Sequence, residues 1–214
     1  MIICIQTLIS EKGSWLYKPV KEVIEWFKYI VSSNPKILDL SWWVWRHTIP
    51  LAQKIQDNWW EIVCVDLLKS AKVWFERNVK KYLIKDWIVR FVLNDLDNYN
   101  ITQDTFDYIL AISILEHLES KESLIRKLKE MIEWTKSWWV HCIVMSTENK
   151  LFNTDTKESR YAPIEINLQF QEMQAIIDLL YTWRFVYTNS TTHRSVEQPQ
   201  VWEYWKLEWK TIRL

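Results

Sequence analysis

ILDLSWWVWRHTIPLA, residues 37–52, is the stretch on which the fold turns. ILDL is a short apolar run of the kind that forms a buried strand. RHTIPLAQKI, which follows, opens a helix. Ser41, Trp42, Trp43, Val44 and Trp45 must therefore make the tight turn between them. A backbone that reverses so quickly asks for small side chains, and this one carries three indoles.

Composition widens that discrepancy. An average soluble chain of this length holds roughly 15 glycines. This one holds a single glycine, Gly13, and 16 tryptophans among 214 residues. Together the two types come close to an ordinary glycine count. Many tryptophans also stand where glycine is expected: 42, 43 and 45 in the strand-to-helix turn, 59 and 60 after Asp57-Asn58, and 87 after Asp86. Trp138 and Trp139 follow Lys136-Ser137, Trp183 ends a helical run, and Trp209 sits inside KLEWKTI. A left-handed backbone costs a residue with a Cβ roughly 1–2 kcal/mol, which is why glycine holds such places. The pattern is that of a gene in which UGA encodes glycine, as in some bacterial lineages, written out with a table that reads UGA as tryptophan. Trp15 and Trp205 lie in aromatic contexts suited to genuine tryptophan. Trp26 and one of Trp59 or Trp60 fit either origin.

The bulk numbers narrow the class. With 27 basic and 27 acidic residues the net charge is zero, so no global field favours nucleic acid or an anionic membrane. Cys4, Cys64 and Cys142 are too widely spaced for a zinc motif or a disulfide framework. They read as buried thiols of a reducing, cytoplasmic compartment, and no metal is expected. The apolar start, MIICIQTLIS, lacks a basic leader, and no run approaches the roughly 20 apolar residues of a membrane span.

Along the chain, helical spacing covers 18–33, 46–56, 69–83, 120–133 and 170–182. Strand patterns cover 36–40, 61–67, 88–95, 106–113 and 140–147, then 184–193 and 203–214. Ser120 is placed to cap the fourth helix. Strand and helix alternate from 18 to 182, which predicts an α/β fold: a Rossmann-like, doubly wound, mostly parallel seven-stranded sheet with an antiparallel C-terminal strand. Residues 1–34 form an N-terminal helical segment that covers the site as a lid, and 35–214 form one ligand-binding domain. In such sheets ligands bind beyond the carboxyl ends of the strands, so the 41–45 turn falls at the site.

With glycine restored, the opening stretch reads ILDLSGGVGRHTIPLA. It resembles motif I of the class I S-adenosylmethionine-dependent methyltransferases, in which an acidic residue precedes a glycine-rich turn. Asp39 matches the acid, Ser41 stands at the first glycine, and Trp43 and Trp45 stand at the second and third, with Trp42 between. A dinucleotide fingerprint would want a further glycine at 48, where the chain has Thr48. The rest of the resemblance runs in order. EIVCVD ends at Asp66-Leu67, where the family holds the ribose, and Asn94-Asp95-Leu96 follow the third strand, where it holds adenine. FDYILAISILEHL matches the fourth strand and its exit, placing Ile112 and Ser113 near the cofactor and His117 beyond them. KSWWVHCIVMS and FQEMQAIIDLLYTWRF match the fifth strand and the last helix.

The resemblance implies S-adenosylmethionine as cofactor and in-line methyl transfer. It implies a small-molecule acceptor, metalloid or thiol, as in the small methyltransferases grouped with tellurite-resistance proteins, which WRHT resembles. His117 is the candidate catalytic base; as structure alone it reads as a helix-start histidine packed on the sheet. His47 reads as a helix-surface residue, and His141 and His193 as core or edge positions. The polar segment 149–168 lies where this fold shapes its substrate pocket. Alternatives are a non-catalytic Rossmann-like subunit, an NAD-type nucleotide binder, or an aromatic-rich binding module.

Overall fold

The structure, a computed structural model, describes residues 18–30, 32–40, 45–57, 60–153, 156, 158–160, 164–182, 189–194 and 205–213. For 45, 136–138, 151–153, 160, 189–194 and 205–213 it describes the backbone alone. The chain divides into two compact units: Met1–Ile112 with Glu130–Cys142, and Ser113–Lys129 with Ile143–Leu214.

The first unit is built on a parallel sheet. Its strands are β1 (Lys36–Asp39), β2 (Glu61–Asp66), β3 (Val89–Leu93), β4 (Phe106–Ile112) and the first part of β5 (Thr135–Asn153). They lie in the order β3-β2-β1-β4-β5, five strands and all parallel. Registers follow from the pairs Asp39↔Cys64, Asp39↔Leu110 and Asp66↔Leu93. Strands covered on both faces read as unbroken apolar runs. Accordingly, all seven residues of β4 and five of the six in β2 are buried. Each fully buried aliphatic side chain contributes roughly 1.5–3 kcal/mol, so these strands are the centre of the core.

Helices α1 (Lys21–Glu25), α2 (Trp45–Ile55) and α3 (Lys69–Lys81) belong to this unit. The helix expected over 18–33 is shorter than its apolar spacing suggests: α1 gives way to a 3-10 turn over Trp26–Tyr29. Tyr108 donates its hydroxyl to the Val23 carbonyl at 3.0 Å and so fastens α1 to β4. α3 buries Ala71, Phe75 and Val79, spaced four apart on one face, and Phe75 packs on Phe91 with ring centroids 5.3 Å apart. Its C-terminus is a Schellman cap. Ile84 N–H donates to the Val79 carbonyl at 3.0 Å and Leu83 N–H to the Lys80 carbonyl at 3.2 Å. The left-handed cap position, usually glycine, is Leu83, with φ 53°.

The strict alternation of strand and helix breaks twice, between β3 and β4 and between β5 and β6. Between β3 and β4, residues 94–105 form turns and no helix. Asp95 organises them: its Oδ1 accepts Asp97 N–H, and its carbonyl accepts the N–H groups of Asn98 and Tyr99. This short-range bonding competes with helix formation.

The second unit contains most of α4 (Lys121–Trp134), the remainder of β5, β6 (Ser159–Arg160), α5 (Phe170–Leu180), β7 (Asn189–Arg194) and β8 (Trp205–Arg213). Ser120 caps α4 through Ser123 N–H at 3.1 Å, as the sequence predicts. β8 pairs antiparallel with β5 and with β7, and β6 pairs antiparallel with β5. The register of β5 on β8 shifts between Thr147 and Lys150, where Glu148 takes φ 53°.

The seven-stranded sheet with a single antiparallel strand is thus corrected. Five all-parallel strands form the sheet of the first unit, and antiparallel pairing, confined to the second, involves β5, β6, β7 and β8. β5 runs far past 147 and the polar segment after it supplies β6, which no apolar alternation announced.

None of the described tryptophans has a positive φ; Leu83, Asp104, Ser113 and Glu148 hold the left-handed positions. Trp87, read as the second residue of a glycine-type turn, lies in a turn without that conformation. Among the described residues no helix is long and apolar enough to cross a membrane.

Candidate functional site

In the first unit, β1 sits between β2 and β4, so strand order reverses at its carboxyl end. That is the switch point at which doubly wound sheets take ligands. Asp39 ends β1, Asp66 ends β2, Asn94–Leu96 follow β3, and Ile112 ends β4. Because these strands run parallel, all four lie along one edge. Asn94 N–H donates to the Asp66 carbonyl at 3.1 Å, joining two of the predicted positions. Ile112 is fully buried and Leu96 nearly so, whereas Leu67 is exposed. Ser41, Trp42 and Trp43 lie outside the described residues, and Trp45 is seen as the first backbone position of α2.

Asp39 is fully buried. Its Oδ2 accepts the Thr48 hydroxyl at 2.6 Å, and Thr48 Oγ1 lies 3.2 Å from Cys64 Sγ. Burial first, and Asp39 second, push the Cys64 thiol well above its ordinary value, so it keeps its proton. The relay therefore runs from the Cys64 S–H to Thr48 and from the Thr48 O–H to Asp39. It ties β2, the first turn of α2 and the end of β1 together. Sequence reasoning passed over Thr48 except as a missing glycine; a hydroxyl one turn into the helix, beside an acid-ended strand, was its signal.

Arg46 precedes this node. Burial lowers its guanidinium to about 10, and Asp39 opposes that fall, so it remains charged at neutrality. His47 corrects the surface reading: it is fully buried, and neither ring nitrogen has a partner. Burial, and then the Arg46 charge, hold it well below 6.5, and the ring is neutral. His141 is buried too, with its ring stacked on Trp139 at 4.0 Å between centroids, while the side chain of His193 lies outside the described residues.

Asp66 carries the cofactor test. It is 9% exposed, and its Oδ1 accepts Leu68 N–H at 2.8 Å. Its Oδ2 is buried without any partner. Burial raises the carboxyl above its usual range, and the Leu68 N–H opposes that. A carboxylate oxygen left unpaired at the end of β2 is costly unless a ligand supplies a donor. A ribose hydroxyl is such a donor, so the residues present fit a nucleoside cofactor.

In the second unit the chain leaves β4 through Ser113, which takes φ 53° and donates its N–H to the Val144 carbonyl at 2.7 Å. A 3-10 turn over Leu115–His117 follows. His117 Nδ1 lies 2.8 Å from Glu165 Oε2. Glu116 is 2% exposed; its Oε1 accepts both the N–H (3.2 Å) and the hydroxyl (2.8 Å) of Ser146. Neither glutamate was singled out from sequence. Glu165 does fall in the polar segment read as substrate-shaping.

A five-stranded parallel sheet with its ligand edge at the β1 switch point is the Rossmann-like fold of the methyltransferases. Residues 47–134 match the family model described as a methyltransferase domain. Among solved structures the chain is similar to TehB from Haemophilus influenzae, at 18% identity and TM-score 0.61 over 91% of this chain and 61% of that one. The chain thus spans about three fifths of that protein's length. An S-adenosylmethionine-dependent methyltransferase from Methanosarcina mazei matches at 11% identity and TM-score 0.58, over 92% of this chain and 97% of that one. Phosphoethanolamine N-methyltransferase 2 from Haemonchus contortus, solved with S-adenosyl-L-methionine, matches at 10% identity and TM-score 0.59, over 99% and 56%. No curated protein sequence matches this chain significantly.

Proposed function

We propose that this protein is a cytoplasmic S-adenosylmethionine-dependent methyltransferase acting on a small molecule, with metalloids and thiols as the first acceptors to try. The observation that carries the reading is the unpaired, buried Asp66 Oδ2 at the ligand edge of a methyltransferase domain. The cofactor, when bound, supplies a methyl group on a sulfonium that leaves as a neutral thioether, so no metal or nucleophilic residue is required. The chain's own task is to hold and align. Asp66 accepts ribose hydroxyls, Asn94, Asp95 and Leu96 flank the adenine, and the 41–45 turn approaches the amino-acid moiety. Asp39, fixed by Thr48, holds the end of β1 beside the start of α2. Leu67, Ile112 and Ser113 complete the cofactor's surroundings, His117 is the proton acceptor where the acceptor needs one, and residues 1–34 form a lid.

The same reading holds that Trp42, Trp43 and Trp45 are glycines in the protein as its host makes it. Supporting it are the single glycine, the 16 tryptophans and their turn positions. Titration calorimetry with S-adenosylmethionine tests both parts. The chain carrying Trp42→Gly, Trp43→Gly and Trp45→Gly should bind at micromolar concentration, and the chain with tryptophan at those positions should not. Binding by neither removes the methyltransferase reading; equal binding by both removes the glycine reading. The mass of the tryptic peptide 37–46 from the native host decides the latter directly.

A further inference from the structure

β3 is the outer strand of the first unit's sheet, and among the described residues it pairs with β2 alone. The Ile88 carbonyl accepts Ile62 N–H, and Asn94 N–H reaches the Asp66 carbonyl. Backbone direction alternates along a strand. Arg90 and Val92 therefore turn their N–H and C=O groups to β2, and Val89, Phe91 and Leu93 turn theirs outward. Natural edges are guarded by lysine, proline or a bulge. VRFVL has none of these: its register on β2 is unbroken, and its one charge, Arg90, lies 3.3 Å from Glu61 of β2.

An open groove of about 330 Å3 lies between α3 and β3, with Phe75, Val79, Val89 and Phe91 as its apolar lining and Lys72 and Glu76 among its charged residues. No residue of β2 lines it, so it opens on the outer side of the sheet. Five of the eight exposed large apolar side chains among the described residues lie within 67–93: Leu67, Val73, Leu83, Trp87 and Leu93. The concentration holds without Trp87, a position that the glycine reading would change. Beside an unguarded edge it suits an interaction surface rather than scattered exposure.

We propose that this edge pairs with the β3 of a second copy of the chain. A strand that meets its own copy about a two-fold axis runs antiparallel to it. With Phe91 opposite Phe91, Val89 faces Leu93, and every outward backbone group of β3 finds a partner. A two-fold axis normal to the sheet keeps both α3 helices on the same face. The packing of Phe75 on Phe91 sets the middle of α3 level with that axis. Strands lie about 4.8 Å apart and helices pack about 8–10 Å apart, so the two α3 helices come side by side over the join. Lys72 and Glu76 are one turn apart on the groove side of α3. Between antiparallel helices, Lys72 of each copy meets Glu76 of the other, in place of the exposed 3.9 Å pair that the two make within one chain. This face is thus charge-complementary to itself, which favours a second copy over an unrelated strand.

The full chain and its variants, made in the native host, are sized by sedimentation equilibrium. The parent should be a dimer at micromolar concentration. Leu93→Pro removes an outward N–H at an exposed edge position and spares the bonds to β2, so it should weaken the dimer roughly tenfold with the fold intact. Lys72→Glu and Glu76→Lys, both at exposed positions, each place like charges across the axis and should be monomers alone. Mixed, they should form a heterodimer, because each supplies the charge that the other lacks. Amide exchange at Val89, Phe91 and Leu93 should slow as protein concentration rises. A parent that stays monomeric, a dimer indifferent to Leu93→Pro, or charge variants that do not pair on mixing overturns the proposal. So does protection of those three amides that is independent of concentration, which would mean that another segment of the same chain covers the edge.

Discussion

Two buried polar clusters in this chain are built on opposite terms. Around Asp39 the bonds run in one direction, from the Cys64 thiol to the Thr48 hydroxyl to the carboxylate, inside elements that are almost wholly buried. Around Glu116 the carboxyl is satisfied on one oxygen and left unpaired on the other, beside a histidine and a glutamate that reach water. The first is a fixture that sets backbone; the second leaves one buried carboxyl oxygen without a partner. Buried polar groups are costly unless satisfied, so the unfinished cluster is the one that points to chemistry.

The comparison breaks most readily at Thr48. Thr48→Val removes a donor from a fully buried carboxylate and should cost about 2–3 kcal/mol, read by urea unfolding, while Thr48→Ser stays near the parent. A loss below about 0.5 kcal/mol would show the Asp39 cluster to be no fixture.

His47, in the same region, sharpens the contrast through pH. Its folded value is depressed, so below about pH 6.5 the unfolded chain binds a proton that the folded chain refuses. Stability is full above that value and falls as pH drops, by up to about 1.4 kcal/mol per unit. His47→Leu should flatten the difference in unfolding free energy between pH 7.5 and 5.5; an unchanged slope would place the acid sensitivity elsewhere.

Leu83→Gly sets the scale for backbone strain outside both clusters. It relieves a left-handed leucine in the Schellman cap of α3 and should raise stability by about 1 kcal/mol in the same assay. The smallest effect belongs to Glu116→Gln. Replacing a half-satisfied carboxyl by a neutral amide should change stability by less than about 0.5 kcal/mol. A loss as large as that of Thr48→Val would erase the distinction between the clusters.

What could be read in advance follows from periodicity. β2 and β4 are continuous apolar runs, and their ends at Asp66 and Ile112 were visible as the places where polarity returns. The capping role of Ser120 was legible because it depends on neighbours three residues away. His47 was not, since a histidine between arginine and threonine at a helix start looks solvent-facing, and only the tertiary fold buries it. Glu165 lay in a polar segment with no period, and its partner is 48 residues away. The helix-free connection after β3 was legible, since no helical spacing falls between 95 and 106, but the part Asp95 plays there, satisfying three backbone donors locally, is one that hydrophobic spacing does not record.

The division of the chain has a consequence for its synthesis. Neither compact unit is a continuous stretch, because residues 130–142 return to the first after 113–129 have gone to the second. The parallel sheet therefore waits, one strand short, until β5 has left the ribosome. Until then the fully buried β4 has an open edge, and a nascent chain paused in that window is the form most exposed to strand-mediated association.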